Sequence, residues 1–229
     1  MAHRTLQGKI GYYSRRSGET GREWFTVTVM PDGSRTLRTC CEMDDASVLR
    51  DVTYTIDAAW RPVDAYIRLS VADRFVGSSW FRFLDDAVEC EALTASEGRV
   101  SQRVDLPQRA ARFGTHSLIT DGWHAVLWDP QGPDRQVLRR QPASSHAADG
   151  GTGPLVVLGD STLHRIGDER VCVPAGEFDT THFSIDLVDY PPLHFWVTGP
   201  DVTLVRIEWT HLDAYYELLE LRQSGSVHG

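Results

Sequence analysis

The stretch Val63-Asp64-Ala65-Tyr66-Ile67-Arg68-Leu69-Ser70-Val71 decides the fold. Every second residue is apolar, so Val63, Ala65, Ile67, Leu69 and Val71 share one face. Asp64, Tyr66, Arg68 and Ser70 share the other. A period of two belongs to an extended chain with one side in a core. The same alternation runs outward from this strand. Upstream, Phe25, Val27 and Val29 alternate with Trp24, Thr26 and Thr28. The turn Pro31-Asp32-Gly33-Ser34 follows, and 35–43 returns as a second strand. Over 48–57, Val52, Tyr54 and Ile56 oppose Asp51, Thr53, Thr55 and Asp57, until Trp60-Arg61-Pro62 interrupts. Downstream, 75–84, 87–94 and 99–105 continue the meander.

The period changes at 116–128. Leu118, Ile119, Trp123, Val126 and Leu127 fall at helical spacing and predict one short helix. Gly122 lies on that stripe, where it weakens a helix by about 1 kcal/mol relative to Ala but allows close approach to another element. Residues 129–153, rich in Pro, Gly, Ser and Gln, predict an exposed linker. Strands resume over 154–158, 163–173, 177–189, 194–198 and 202–211. Segment 214–222 reads either as a strand closing a hairpin or as a helix with Asp213 as its N-cap, the strand being favoured. Short strands, one helix and no βαβ alternation predict a mostly β fold. The expected form is a large antiparallel curved sheet, or a barrel-like fold, with one short central helix. The expected unit is a single β-domain over 1–229, with strand-rich halves 8–105 and 154–222 joined by helix 116–128 and linker 129–153.

Between Gly167 and Phe183 the chain reads strand, Val173-Pro174-Ala175-Gly176 turn, strand. This segment, with the strand order, resembles bacterial half-barrel proteins similar to lipoprotein-localisation factors. The resemblance implies a curved sheet whose hydrophobic concave face is capped by helix. Such relatives are usually exported.

Composition narrows the function classes. The 229 residues are 41% hydrophobic and 24% charged, as in globular chains. A formal net charge of −9 repels polyanions, so nucleic acid is not an expected partner. Arg15-Arg16 and Arg139-Arg140 read as solvated turns or linkers. The N-terminal residues carry no apolar signal region, and no run is long enough for a membrane span, so the expected location is the cytoplasm. Cys40, Cys41, Cys90 and Cys172 show neither CxxC nor Cys/His spacing and are expected to be reduced thiols without a metal. No dinucleotide fingerprint, Walker loop or Gly-x-Ser-x-Gly is present, so no cofactor is expected. A homodimer is compatible with the sequence.

Three polar groupings could carry proton transfer. On strand 177–189, His182 shares a face with Thr180, Ser184 and Asp186; Phe183, Ile185 and Leu187 share the other. If the apolar set faces the pocket, His182 faces solvent. Asp186 would stand about 13 Å from it along a flat strand. On the helix, His124 three residues after Asp121 could be a general acid/base oriented by that carboxylate, with His116 as a cap or loop residue. Tyr66 and Arg68 could bind a substrate oxygen. Among the seven tryptophans, Trp123 and Trp196 are expected to line a site for a flat apolar ligand. The expected function is binding of a hydrophobic or aromatic small molecule in a β-pocket, with cofactor-independent isomerase, dehydratase or lyase chemistry on it. The alternative is a non-catalytic lipid or aromatic ligand carrier.

Overall fold

The computed structural model describes residues 3–145, 155–187 and 190–224. The first eight strands are β1 (Arg4–Ser14), β2 (Gly18–Val29), β3 (Arg35–Met43), β4 (Val48–Ile56), β5 (Pro62–Val71), β6 (Arg74–Phe83), β7 (Ala87–Thr94) and β8 (Gly98–Asp105). Helix α1 (Leu118–Gly122) runs into a 3-10 turn over Trp123–Leu127. Then come β9 (Arg135–Leu138), β10 (Gln141–Ala143), β11 (Val156–Leu158), β12 (Ser161–Val173), β13 (Gly176–Leu187), β14 (Tyr190–Thr198), β15 (Thr203–Trp209) and β16 (Ala214–Ser224).

Fourteen strands form one sheet in the order β8-β7-β6-β5-β4-β3-β2-β1-β16-β15-β14-β13-β12-β9; β10 and β11 pair separately. The strand-rich halves therefore meet where β1 lies antiparallel to β16, from Thr5 opposite Ser224 to Ser14 opposite Ala214. Segment 214–222 is the favoured strand. A twisted sheet this wide must curl. Register shifts at Lys9/Ile10, Thr55/Ile56, Arg165/Gly167 and Trp196/Val197 sharpen the curl. At the β8 edge, Gln102 accepts from Leu155 N at 2.7 Å and donates to Leu155 O at 3.4 Å, tying down the chain that enters β11.

The alternation read from the sequence defines the concave face: Phe25, Val27, Val29, Val52, Tyr54, Ile56, Ala65, Ile67 and Leu69 are all buried. Val63 departs from the pattern and is exposed, because the β4–β5 register shift makes it an extra residue between Pro62 and Asp64. Into the concavity go 106–117, α1 and the 3-10 turn. Phe113 packs against Phe81, Phe83 and Tyr54 with ring centroids 4.7, 5.0 and 6.1 Å away. Trp123 lies 6.0 Å from Tyr54 and 5.6 Å from Trp60. Gly122 does what its place on the stripe implied. A Cβ there would stand 3.1 Å from Leu204 Cβ and 3.2 Å from Val197 Cγ1, so α1 lies directly on β14 and β15.

Two expectations are corrected. The helix expected over 116–128 is one α-turn followed by a 3-10 turn. His116 has φ 59°, outside the helical region, and Trp128 is already extended. The segment expected as an exposed linker over 129–153 is mostly exposed over 129–140, as expected, but its described part carries two short strands and ends buried. β9 pairs with β12, residues 141–145 are buried, and Gly114 forms a parallel bridge with Ala143. Residues 146–153 lie outside the described ones. Strands of three or four residues are too short to declare a period, which is why 135–143 reads as a connection. Arg139, exposed in the connection between β9 and β10, pairs with Asp160 at 2.7 Å.

All four cysteines are free, and burial pushes the Cys90 thiol up to about 11 and Cys41 well above its usual range. Melting curves recorded with and without dithiothreitol should coincide. A fall of many degrees on reduction would contradict the thiol assignment.

Candidate functional site

Three inward positions on neighbouring strands carry polar groups. Glu23 shares the face of Phe25, Cys41 that of Leu37, and Arg50 that of Val52; Glu23 stands opposite Cys41, and Cys41 opposite Arg50. All three are fully buried. The Glu23 carboxylate accepts from five donors. They are the Tyr12 hydroxyl at 3.1 Å, the Cys41 thiol at 3.4 Å, the Ser117 hydroxyl at 2.8 Å, Leu118 N at 2.8 Å and Ile119 N at 3.2 Å. The first N–H groups of any helix lack intrahelical partners. Here the cap is supplied by the facing sheet, since Ser117 makes no side-chain cap of its own. Arg50 Nη1 donates to the His116 carbonyl at 2.7 Å, holding the left-handed residue that precedes the helix. The Thr115 and Thr120 hydroxyls lie 2.9 Å apart, and Thr120 also donates to Ser117 O at 2.7 Å.

The helix brings two titratable groups inside, with opposite consequences. Burial raises the Asp121 carboxyl to about 7; Glu23 adds to the shift and Arg50 opposes it. Burial lowers His124 to about 4, assisted by Arg112. Burial, then Asp121, raises Tyr216 to about 12. The expected acid/base pair does not form through its side chains. His124 Nδ1 lies 2.9 Å from the backbone carbonyl of Asp121, and Nε2 lies 3.5 Å from Gln141 Oε1. Asp121, Trp123 and His124 share the plug. The cavity beside them, lined by Tyr54, Ile56, Trp60, Phe113, Trp123 and His124, holds about 20 Å³. That suffices for one water, whereas ligand sites run from about 300 to 1,000 Å³.

The other expected site residues stand elsewhere. Tyr66 and Arg68 occupy the convex face of β5: Tyr66 is 42% exposed beside its cross-strand partner Trp80, and the Arg68 guanidinium lies 4.8 Å over Phe75. They cannot serve the concave side, because residues flanking buried Ile67 on one strand point the opposite way. His182 also lies on the convex face, with Phe183 and Ile185 inward, but it is not bathed in solvent. Its side chain is only 13% exposed. Nδ1 lies 3.0 Å from Glu169 Oε1, Nε2 lies 2.9 Å from His194 Nδ1, and the ring stacks on Trp196 at 4.1 Å. Trp196 thus lines this cluster instead of the cavity of Trp123, and its indole N–H donates to the same Glu169 oxygen at 2.8 Å. Burial, then His194, holds His182 below its ordinary value. Asp186, the expected partner of His182, instead pairs with Arg135. Sequence reading missed Glu23, Arg50, Glu169 and His194. The signal for the first two was parity, a charge on the apolar phase of a strand. Among the described residues, no three His, Cys, Asp or Glu side chains form a metal cluster, and no helix is long and apolar enough to cross a membrane.

No family model matches the sequence, and no curated protein matches it significantly. Among solved structures, the chain is similar to the β-barrel-like protein of a domain of unknown function, DUF1849, from Brucella abortus. The identity is 12% over 97% of this chain and 98% of that one, with a TM-score of 0.54. This likeness shows the barrel-like fold. A candidate lipoprotein from Parabacteroides distasonis aligns at 10% identity over 96% of both chains with a TM-score of 0.33. A candidate exported protein with a YmcC-like fold from Bacteroides fragilis aligns at 13% over 95% of both chains with a score of 0.31. These two scores are too low to carry an argument.

The buried polar groups make two predictions. Glu23→Ala should cost about 3–5 kcal/mol of stability, by stranding its donors and a buried charge. Asp121 and His124 should oppose one another in pH dependence. The raised carboxyl contributes stability below about 4 that is lost as pH rises to about 7. The depressed imidazole contributes stability above about 6.5 that is lost as pH falls to about 4. Between pH 4.5 and 6.5 the folded chain keeps a proton on Asp121 and the unfolded chain keeps one on His124, so their slopes nearly cancel. Relative to wild type, Asp121→Asn should gain stability as pH rises through this window, and His124→Gln should lose it, each by about 1 kcal/mol per pH unit. Parallel denaturant titrations check the signs; two flat difference curves would refute the assignment.

Proposed function

We propose that the chain is a non-catalytic carrier that binds a hydrophobic or aromatic small molecule against its concave sheet. The observation that carries this reading is the contrast between wall and plug. The wall is apolar strand after strand, whereas its cover is a single irregular segment, 106–128, with ten residues of helix. A helix this short has little stability of its own. Its polar attachments gather at Glu23 and Arg50. A ligand would take the volume of Trp123 and its neighbours when that segment shifts. Trp60 would yield with it: the indole packs edge-on to Trp123, on a turn where Trp60 itself holds φ 64°, an unfavoured conformation for a bulky side chain.

The resemblance of 167–183 to half-barrel proteins similar to lipoprotein-localisation factors supports an acyl chain as the ligand. Free thiols, including exposed Cys172, support a reducing compartment, and we place the protein in the cytoplasm. The enzyme reading retains one observation in its favour, the Asp121 carboxyl poised near neutrality beside Glu23. It would require a substrate in the same small cavity, without the His124–Asp121 carboxylate dyad or the Tyr66 and Arg68 oxyanion pair.

Titration of the purified chain with a dansyl-labelled undecanoic acid should show saturable one-to-one binding in the micromolar range. Trp123→Ala enlarges the cavity and should tighten it several-fold, while Asp121→Asn should leave it unchanged. No saturable binding by either wild type or Trp123→Ala would refute the carrier. Loss of binding in Asp121→Asn would move weight to the enzyme.

A further inference from the structure

We propose that His182 and His194 form a site on the convex face for a late divalent transition-metal ion such as Zn²⁺ or Cu²⁺, with Glu169 orienting His182 from behind. The site is independent of the concave-face reading. His182 Nε2 and His194 Nδ1 face one another at 2.9 Å. Glu169 Oε1 lies 3.0 Å from His182 Nδ1. A carboxylate can only accept, so Nδ1 carries the hydrogen and Nε2 keeps a lone pair aimed at His194. The hydrogen between the rings then belongs to His194 Nδ1. Moving it to that ring's Nε2 changes the tautomer without changing the charge, and leaves two lone pairs facing one another. Zinc–imidazole bonds of about 2.0–2.1 Å at a tetrahedral angle span about 3.3 Å between nitrogens. To admit the ion the rings must separate by about 0.4 Å and tilt so that both lone pairs meet it off the line between the nitrogens.

The cluster is built rather than incidental. The His182 ring lies on Trp196 at 4.1 Å and 20°, and the Trp196 indole N–H donates to the same oxygen of Glu169 that holds His182. Tautomer and ring plane are fixed before any ion arrives, the arrangement in which a carboxylate behind a ligating histidine raises its basicity. His194 is half-buried. Its cross-strand partner Glu208 adds negative charge, although its carboxylate is engaged by Arg206 at 2.5 Å and Arg15 at 3.5 Å. Two protein nitrogens leave the other positions to water. The site should therefore hold its ion in the micromolar range and prefer imidazole-seeking ions over Mg²⁺ or Ca²⁺.

Calorimetric titration of the untagged full chain with Zn²⁺ should give one site, and Cu²⁺ electron paramagnetic resonance should show hyperfine coupling to two nitrogens. His182→Ala and His194→Gln should each weaken binding by roughly tenfold or more. His194→Gln, on the more open ring, is the variant that guards against misfolding, and melting curves of both accompany the titration. Glu169→Gln should weaken binding by about tenfold while preserving the two-nitrogen signature, because it acts only through the orientation of His182. Absence of binding below millimolar Zn²⁺ would show that the pair is only hydrogen-bonded. Unchanged affinity in His194→Gln would place the ion elsewhere. Either result overturns the site.

Discussion

The structure depends on one buried carboxylate. Fourteen strands can curl but leave a concave face too broad for their own side chains to fill, and the element that fills it is too short to stand alone. Glu23 resolves both difficulties. Its oxygens take the first two N–H groups of α1 and the Ser117 hydroxyl, so the sheet itself caps the helix that covers it. Burying a carboxylate is costly unless every lone pair finds a donor. Tyr12 from β1 and Cys41 from β3 complete the set, which ties three adjacent strands to the plug at one point.

From that point the interior electrostatics follow. Arg50 is the nearby cation, one step further along the same ladder, and its bond to the His116 carbonyl fixes the turn that aims the helix at Glu23. Asp121, a turn beyond the cap, is driven towards its neutral form by burial first and by the field of Glu23 second. His124 is driven towards neutrality as well, by burial and then by Arg112. Burial thus shifts both titratable groups of the helix and its 3-10 turn, Asp121 and His124, towards their neutral forms, while the Glu23 carboxylate keeps its five donors.

This logic also shows how far the sequence could be read. The long strands were legible because a half-buried strand repeats every two residues, and Phe25 to Val29, Val52 to Ile56 and Ala65 to Leu69 kept that phase. Helix 116–128 was legible in place but not in length, since spacing alone does not reveal a left-handed residue at His116. Glu23 and Arg50 were passed over because a charge on the apolar phase looks like the end of a strand; only the cross-strand register, absent from any single strand, sets them side by side. The His124–Asp121 spacing did predict contact. On a helix, however, the later side chain lies back over the preceding turn, where here it found the carbonyl instead of the carboxylate. Tyr66 and Arg68 alternate correctly with the core, and that same alternation puts them outside.

The convex cluster has a different origin, in a defect of the ladder as well as in its regularity. Before Ile166, β12 turns Leu163 inward opposite Ile185. The register shift between Arg165 and Gly167 inserts one residue, so the phase reverses, and Glu169, Val171 and Val173 point to the same side as His182 and Thr180. Without the shift Glu169 would face the core, and no carboxylate would stand behind His182. Between β13 and β14 the register is unbroken from Thr181 opposite Val197 to Ile185 opposite Leu193, so plain alternation leaves Trp196 and His194 on this outward side, next to Arg206 and Glu208. The hairpin tip then folds back, Ala175 N donating to Leu218 O at 3.1 Å on the part of β16 that β15 does not reach. An outward tryptophan only 8% exposed and an outward histidine nearly as protected are the result. Bulges that merely steepened the curl would need no such polar complement. The β12 shift adds an acceptor to the two imidazoles and the stacking ring that alternation along β13 and β14 puts on this patch, which is why the convex face carries a chemically organised group there.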